Sequence, residues 1–350
     1  VELAKALDKK LFEVTVFTFY PGGALEQELA GSGVRIVSLS KSGRWDVLRF
    51  FSRLVRHLRR LRPDIVHGYL DLSNLLALSS KPFLHGPAII WGARSSNIDL
   101  NYYDRLRRLS FWLERRLSGL PDRVIVNSDA GRAYLLKQGC PADKLVVVPN
   151  GIDTRCFCPD PEARRRVRGE WGVSENEILV GMVGRLDPVK DHPTFLRAAA
   201  LLHQERAEVR FVCVGGGTMS HRQKLRHLGE QLSLSGNMRW VETRSDMPAV
   251  YNALDINVSS SRSEGFPNSV GEAMACAVPC VVTDAGDSAL IVGDTGFVSA
   301  PLNPEALAAN LIACLESDRN VLGKKARLRI EENWNTKQLA ERTERAITSL

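Results

Sequence analysis

The sequence predicts an α/β protein built from two Rossmann-like, doubly wound domains facing a cleft. Three observations carry this expectation. At 350 residues the chain exceeds what one hydrophobic core usually organises. Short β-rich runs alternate with helical patterns from one end to the other, as in parallel sheets flanked by helices. Midway, residues 149–161 (PNGIDTRCFCPDP) bring three prolines and an Asn-Gly turn signal, which interrupt that rhythm. No internal repeat or low-complexity tract is visible, which argues against a solenoid or scaffold.

In the first half the strands are read over 13–19, 34–39, 64–69, 88–91, 123–127 and 144–148. Between them, 44–61 and 104–117 read as amphipathic helices rich in arginine. Residues 1–7 (VELAKAL) look like the late part of a helix. A nucleotide-binding α/β unit opens strand, glycine loop, helix, so a first strand and loop on the order of 20 residues are expected to be missing ahead of Val1. The second half starts the alternation afresh, with strands over 178–184, 209–215, 238–241, 256–259 and 279–283 and helix over roughly the last 40 residues. The expected domains are 1–155, 156–335, and a C-terminal helix at 336–350 that can cross back to the first.

Composition excludes several classes. With 44% hydrophobic and 25% charged residues nothing points to disorder. The longest apolar runs are strand-sized, far short of the roughly 20 residues that span a bilayer. The seven cysteines are odd in number, and neither Cys156-x-Cys158 nor Cys276-x3-Cys280 has a zinc or redox spacing, so reduced thiols are expected. Net charge is +7, unevenly placed: residues 1–158 hold 24 Lys and Arg against 15 Asp and Glu, and the remainder is slightly acidic. The basic surface therefore belongs to the first domain.

The stretch 262–272, RSEGFPNSVGE, follows a strand and opens a helix. Its turn over Gly265, Phe266, Pro267 and Asn268 would present backbone N–H groups at a helix start, with Ser269 in the first turn, where a diphosphate is favoured. Glu264 and Glu272 bracket that start, and Glu272 can accept hydrogen bonds from a ribose diol. A loop at Gly184-Arg185-Leu186-Asp187-Pro188-Val189-Lys190 sets two cations five residues apart, suited to gripping two phosphates without metal. Either cation alone reads as a solvated loop residue.

Glu-x7-Glu in the context SEGFPNSVGEAMACAVPCVVTD, with GRL-x3-K before it, resembles the donor-site signature of the retaining GT-B glycosyltransferases of family four, the glycosyl transferases group 1. The resemblance implies a hexosyltransferase that uses a nucleotide-sugar co-substrate and no other cofactor. It places Glu264 near the transferred sugar, Glu272 on the ribose, and Arg185 and Lys190 on the diphosphate. Residues 212–219 (VCVGGGTM) are similar to the family's VGxG segment, which makes Gly215 and Gly217 lesser donor-site candidates beside Gly184. Residues 238–248 (MRWVETRSDMP) match its strand and loop against the base, with Arg244 and Asp246 in familiar positions. Two departures stand out: Asp191 and Glu242 occupy positions where relatives commonly carry glycine.

In the first domain Asn127-Ser128 and Pro149-Asn150-Gly151 also resemble family motifs, although helix capping and turn chemistry account for them equally well. Many family members carry a histidine in the loop where this chain offers Arg94. An arginine cannot act as a base at neutral pH, but it can hold a phosphate or sugar hydroxyl. His67 reads as either a packed core histidine or a site residue.

The resemblance implies retention of anomeric configuration, with the departing phosphate taking the acceptor proton. UDP donors dominate among similar sequences, so a UDP-sugar is expected, passed to a lipid-linked or saccharide acceptor in envelope or surface polysaccharide synthesis. No Asp-x-Asp motif precedes the donor elements, so metal-independent catalysis is expected. The arginines of 44–62, interleaved with Phe50, Phe51, Leu54 and Leu58, suggest contact with anionic lipid, whereas the bland alternative turns those apolar residues to the sheet. A cytoplasmic protein, peripheral on the inner face of the membrane, would follow. Three rivals are a sugar-nucleotide epimerase of the same architecture, a fragment that binds donor only, and a nucleic-acid-binding protein. Against the last, no recognition motif or basic stripe with stacking aromatics runs through both domains.

Overall fold

Parallel strands dominate the computed structural model, which describes residues 1–43, 46–94 and 104–350. The chain divides into one unit of Val1–Gly151 with Thr336–Leu350 and a second of Ile152–Asn335.

The first unit opens with α1 (Glu2–Ala6), β1 (Thr15–Thr18), α2 (Ala24–Leu29), β2 (Arg35–Ser38) and α3 (Val47–Leu61). It continues through β3 (Ile65–Tyr69), α4 (Leu70–Ser80), β4 (Ala88–Ala93), α5 (Arg105–Leu117), β5 (Arg123–Val126), α6 (Asp129–Lys137) and β6 (Leu145–Val147). Strands β1 and β2 pair in parallel, and β3-β4-β5-β6 form a four-stranded parallel sheet. Strand β4 reads AIIWGA because both of its faces are covered. Ile89 and Trp91 pack with Val124 and Ala77 on one side, while Ile90 and Ile125 meet Leu339, Ala346 and Ile347 on the other.

Helix α3 takes the alternative in which its apolar residues turn to the core. Phe50, Leu54 and Leu58 are buried with Leu39, and Phe51 packs against the same cluster, so the apolar stripe is spent on the core. Arg44, the first residue of the expected helix, lies outside the described residues, as does Ser95 after Arg94.

The second unit contains α7 (Pro161–Trp171), β7 (Ile178–Val183), α8 (His192–Glu205), β8 (Val209–Val214), α9 (Met219–Gln231), β9 (Met238–Val241) and α10 (Met247–Ala253). Then come β10 (Ile256–Ser259), α11 (Asn268–Ala275), β11 (Cys280–Thr283), α12 (Ser288–Val292), β12 (Phe297–Ser299), α13 (Pro304–Glu316) and α14 (Arg319–Asn333). The last helix, α15 (Thr336–Thr348), belongs to the first unit. There Glu344 accepts from the Asp8 amide at 2.9 Å, and the Ala346 carbonyl accepts from Arg123.

All six strands of the second sheet run parallel in the order β12-β11-β10-β7-β8-β9, so the winding reverses between β7 and β10. Ligands of open α/β sheets bind beyond the carboxyl ends of the strands flanking such a reversal. Two clusters of buried side chains cover the sheet's faces, one including Val250, Tyr251 and Val270, the other Phe195, Leu196 and Phe211. Strand β12 was not expected from the sequence. All seven cysteines are free thiols, and burial pushes that of Cys280 up to about 12. No helix of the described residues is long and apolar enough to cross a membrane.

Candidate functional site

The loops leaving β7 and β10 meet at the reversal point. The β7 loop runs Gly184–Asp187 into a 3-10 turn, Pro188–Lys190, which Asp187 caps by accepting from the Val189 amide. The β10 loop runs from Ser260 to Pro267, the N-cap of α11. Backbone and side chains stitch them together: the Arg262 amide donates to the Val189 carbonyl at 2.8 Å, and the Ser260 hydroxyl donates to the Asp191 carbonyl at 2.9 Å.

Between these loops the Lys190 ammonium meets Oε1 of Glu264 at 2.5 Å, and the Ser261 hydroxyl donates to the same oxygen at 2.7 Å. The pair is mostly withdrawn from water, with side-chain exposures of 21% and 11%. The site thus holds a cation and a carboxylate locked together at the start of α11. Arg185 projects instead into solvent, 80% exposed, and pairs with Asp187 at 3.6 Å.

Asp191, the departure from glycine, adopts the left-handed backbone at φ 50°. Glycine reaches that region without strain and an aspartate tolerates it better than most residues. Here the side chain compensates, accepting from Arg262 at 3.0 Å through Oδ1 and from the Thr194 hydroxyl at 2.7 Å through Oδ2. The next residue, His192, is fully buried, and desolvation pulls it down to about 4, so its ring is neutral.

Glu272 lies just over one turn into α11, where the buried Tyr251 hydroxyl donates to Oε2 at 2.7 Å. Burial raises its carboxyl above the ordinary range against the opposing effect of that bond. Phe266 is buried against Trp334, ring centroids 6.4 Å apart, so its side chain belongs to the core. Pro267, also buried, offers its carbonyl to the Val270 and Gly271 amides, while Asn268 and Ser269 form the more open first turn.

The glycines let two loops pack closely. A Cβ on Gly215, φ 151°, would sit 2.0 Å from the Gly184 carbonyl oxygen, and one on Gly217 would strike Leu186. They let the β8 loop lie against the β7 loop, where the Leu186 amide donates to Gly216 at 2.8 Å. Gly286 does the same for the other side of the site, its backbone passing too close to the Glu264 carbonyl for any Cβ. Arg244 is engaged by protein, with Asp246 at 2.8 Å and Glu170 at 2.5 Å. Glu242, the other departure from glycine, pairs with Arg222. Among the described residues no group of three or more His, Cys, Asp or Glu is placed to hold a metal ion.

The family model of Glycosyltransferase Family 4 matches residues 1–156, and that of Glycosyl transferases group 1 matches residues 177–317. The chain belongs to these glycosyltransferases. A D-inositol 3-phosphate glycosyltransferase of Kribbella flavida is 28% identical, over 93% of this chain and 84% of its own. The UDP-Gal:alpha-D-GlcNAc-diphosphoundecaprenol alpha-1,3-galactosyltransferase of Escherichia coli is 23% identical, over 81% of this chain and 74% of its own. Among solved structures, Anabaena HepE in complex with UDP-glucose superposes with a TM-score of 0.87 at 19% identity, covering 100% of this chain and 94% of that one. At that identity the likeness establishes the GT-B fold alone.

The first unit of this glycosyltransferase gathers its own expected residues at the carboxyl edge of its sheet. The Arg94 guanidinium lies 4.9 Å over the Tyr69 ring and donates to Oδ1 of Asn150 at 2.5 Å. Tyr69 stacks on His67, which desolvation pulls down to about 3. Asn127 is buried at the end of β5, and Ser128 caps α6 by accepting from the Gly131 amide at 3.0 Å. Sequence reasoning missed Ser261, Tyr251 and Gly286. The Ser-Ser-Ser run after β10 was a visible signal for the first, whereas nothing local marks the other two.

Proposed function

We propose that this glycosyltransferase moves a hexose from a UDP-sugar to a lipid-linked or saccharide acceptor, with retention and without a metal ion, in envelope or surface polysaccharide synthesis. The observation that carries the reading is the Lys190–Glu264 pair set between the β7 and β10 loops at the start of α11. A UDP-sugar donor is supported by the UDP-glucose complex of HepE, and a lipid-linked acceptor by the name of the Escherichia coli relative. Such an acceptor puts the reaction at the cytoplasmic face of a membrane.

As the glycosidic bond to the diphosphate breaks, negative charge grows on the leaving oxygens and positive charge on the anomeric carbon. Lys190, already desolvated, would stabilise the first, with the N-terminus of α11 and the exposed Arg185 adding to it. Glu264, whose Oε1 accepts from both Lys190 and Ser261, would orient the sugar. The acceptor attacks on the face the diphosphate leaves, and its hydroxyl proton passes to a departing phosphate oxygen. Glu272 takes the ribose hydroxyls, oriented by Tyr251.

Thermal shift with UDP-, GDP- and ADP-sugars tests the donor. Protection by UDP-sugars is expected, with UDP released once acceptor is added and no change on adding EDTA. Protection by GDP- or ADP-sugars alone would overturn the base, and strict Mn²⁺ dependence would overturn the cation clamp.

Tyr251→Phe is expected to raise the donor KM about 5- to 10-fold, the size of one ordinary hydrogen bond, at little cost in kcat. Because burial already raises the Glu272 carboxyl, losing the Tyr251 donor raises it further. Donor affinity should then begin to fall at a higher pH in the variant as the medium is acidified. Steady-state kinetics across a pH series checks both effects, and an unchanged KM with a lowered kcat would contradict them.

A further inference from the structure

Cys156, Phe157 and Cys158 follow one another in the segment that opens the second unit. Cys156 is exposed and Cys158 half-buried, whereas the other five thiols are buried. The ring between them packs edge-on against Tyr251, centroids 6.0 Å apart, and the Tyr251 hydroxyl is the one that holds Glu272 at 2.7 Å. Carbonyls fix the segment around that ring. Arg327 of α14 donates to those of Thr154 at 3.2 Å and Phe157 at 3.1 Å, and the Asn252 amide of α10 donates to that of Cys158 at 2.9 Å. Phe157 therefore takes its place from the same stretch of backbone that carries both thiols.

We infer that Cys156 and Cys158 form a thiol–disulfide site, and that closing it weakens donor binding through Phe157, Tyr251 and Glu272. Two Cα atoms two residues apart can stand up to about 7 Å from each other, whereas disulfides mostly hold them about 5.5–6 Å apart. A bridge across a single residue closes a tight ring, and the residue that must rotate to allow it is Phe157. Its contact with Tyr251 is then lost. The oxidant is a low-molecular-weight disulfide. The Cys156 thiolate attacks one of its sulfurs, forming a mixed disulfide and expelling a first thiolate; the Cys158 thiolate then attacks the Cys156 sulfur, closing the bridge and expelling the second. Two cysteines are oxidised, one small disulfide is reduced to two thiols, and the protons lost by the cysteines pass to the expelled thiolates. Access sets the order, because Cys156 alone is exposed. Cys276 does not compete, since burial above all, and then the nearby Cys158, pushes its thiol well above the ordinary range. The reduced thiols expected from the sequence are the resting state. The effect on donor rests on the reading of Glu272 as the ribose ligand, whereas the bridge and its effect on α10 are measured without donor.

The full chain is incubated with glutathione disulfide, and the bridge is mapped by mass spectrometry of unreduced peptides. A Cys156–Cys158 bond that dithiothreitol reverses is expected, with faster hydrogen exchange in α10. Oxidation should raise the Kd for UDP about 5- to 10-fold, as losing the Tyr251 hydrogen bond does, and should add less than about twofold in Tyr251→Phe. Cys156→Ser should bind UDP as the reduced parent chain does and lose the response. Cys158→Ser should stop at the mixed disulfide and keep its affinity within about twofold. The inference is overturned if glutathione disulfide leaves both thiols reduced, if the bond forms with Cys276, or if the bridged chain keeps the α10 exchange or the UDP affinity of the reduced one. A reduced chain that bridges, loosens α10 and yet never binds UDP would instead overturn the donor reading.

Discussion

Lys190→Ala is expected to lower kcat on the order of 10²- to 10³-fold, the usual cost of removing one preorganised group that stabilises a transition-state charge. The expectation rests on geometry. The ammonium is four-fifths withdrawn from solvent, sits 2.5 Å from Glu264, and leaves a loop anchored by Asp187, Ser260 and Arg262. Little reorganisation is then needed when a diphosphate arrives. Arg185, exposed and loosely paired, should behave differently: Arg185→Ala is expected to raise the donor KM more than it lowers kcat, because a solvent-exposed cation contributes mainly to encounter and ground-state binding. Glu264→Gln removes the partner but keeps the shape, and its effect combined with Lys190→Ala should fall well short of the product of the two, since the residues act as a unit. Steady-state kinetics with a UDP-sugar, beside circular dichroism to confirm folding, reads all three. A Lys190→Ala enzyme with kcat close to that of the parent chain would remove the diphosphate clamp from the mechanism.

Much of this arrangement was legible in the sequence because the chemistry sits where strands end. Strands β9 and β10 lie within the residues the apolar pattern predicts, and each remaining predicted strand differs from its observed span by at most two residues at either end. Such runs are readable when both sheet faces are buried. Strand β12 was missed because its three residues end the sheet and Val298 is 38% exposed, so no apolar run marks it. Lys190 and Glu264 were found through their loops, but their contact was not, since nothing in a spacing of 74 residues says that two loops meet. Asp191 read as an anomaly until its left-handed backbone and its bonds to Arg262 and Thr194 showed how an aspartate can take a glycine's place. Helical periodicity showed which residues of α3 and α5 share a side, yet only tertiary packing decides which side meets the core. In α3 the apolar stripe faces inward, and in α5 Leu109 and Trp112 face out.

Arg168→Met should destabilise the second unit by about 3–5 kcal/mol, the range for breaking a buried ion pair from one side. Arg168, 1% exposed on α7, donates to Asp255 at 3.0 Å, to the Ala253 carbonyl at 3.1 Å, and to the Ser174 and Glu177 carbonyls at 2.6 Å each. Asp255 in turn accepts from the Leu179 amide in β7 at 2.7 Å and from Arg164 at 2.7 Å. One guanidinium thus ties α7 to the starts of β7 and β10, the two strands whose far ends carry Lys190 and Glu264. Methionine keeps much of the volume but leaves the carbonyls without their donor and Asp255 with Arg164 alone as its cation. For a unit of this size the loss corresponds to a fall in melting temperature of roughly 6–20 °C. Well below that temperature kcat should remain near the value of the parent chain, because the network lies at the opposite ends of the strands from the chemistry. Arg166→Gln, two residues away on the same helix but 65% exposed and 3.7 Å from Asp246, should cost about 0–1 kcal/mol. If urea unfolding gave the two variants similar losses, the buried network would not be what holds β7 and β10 in register at the site.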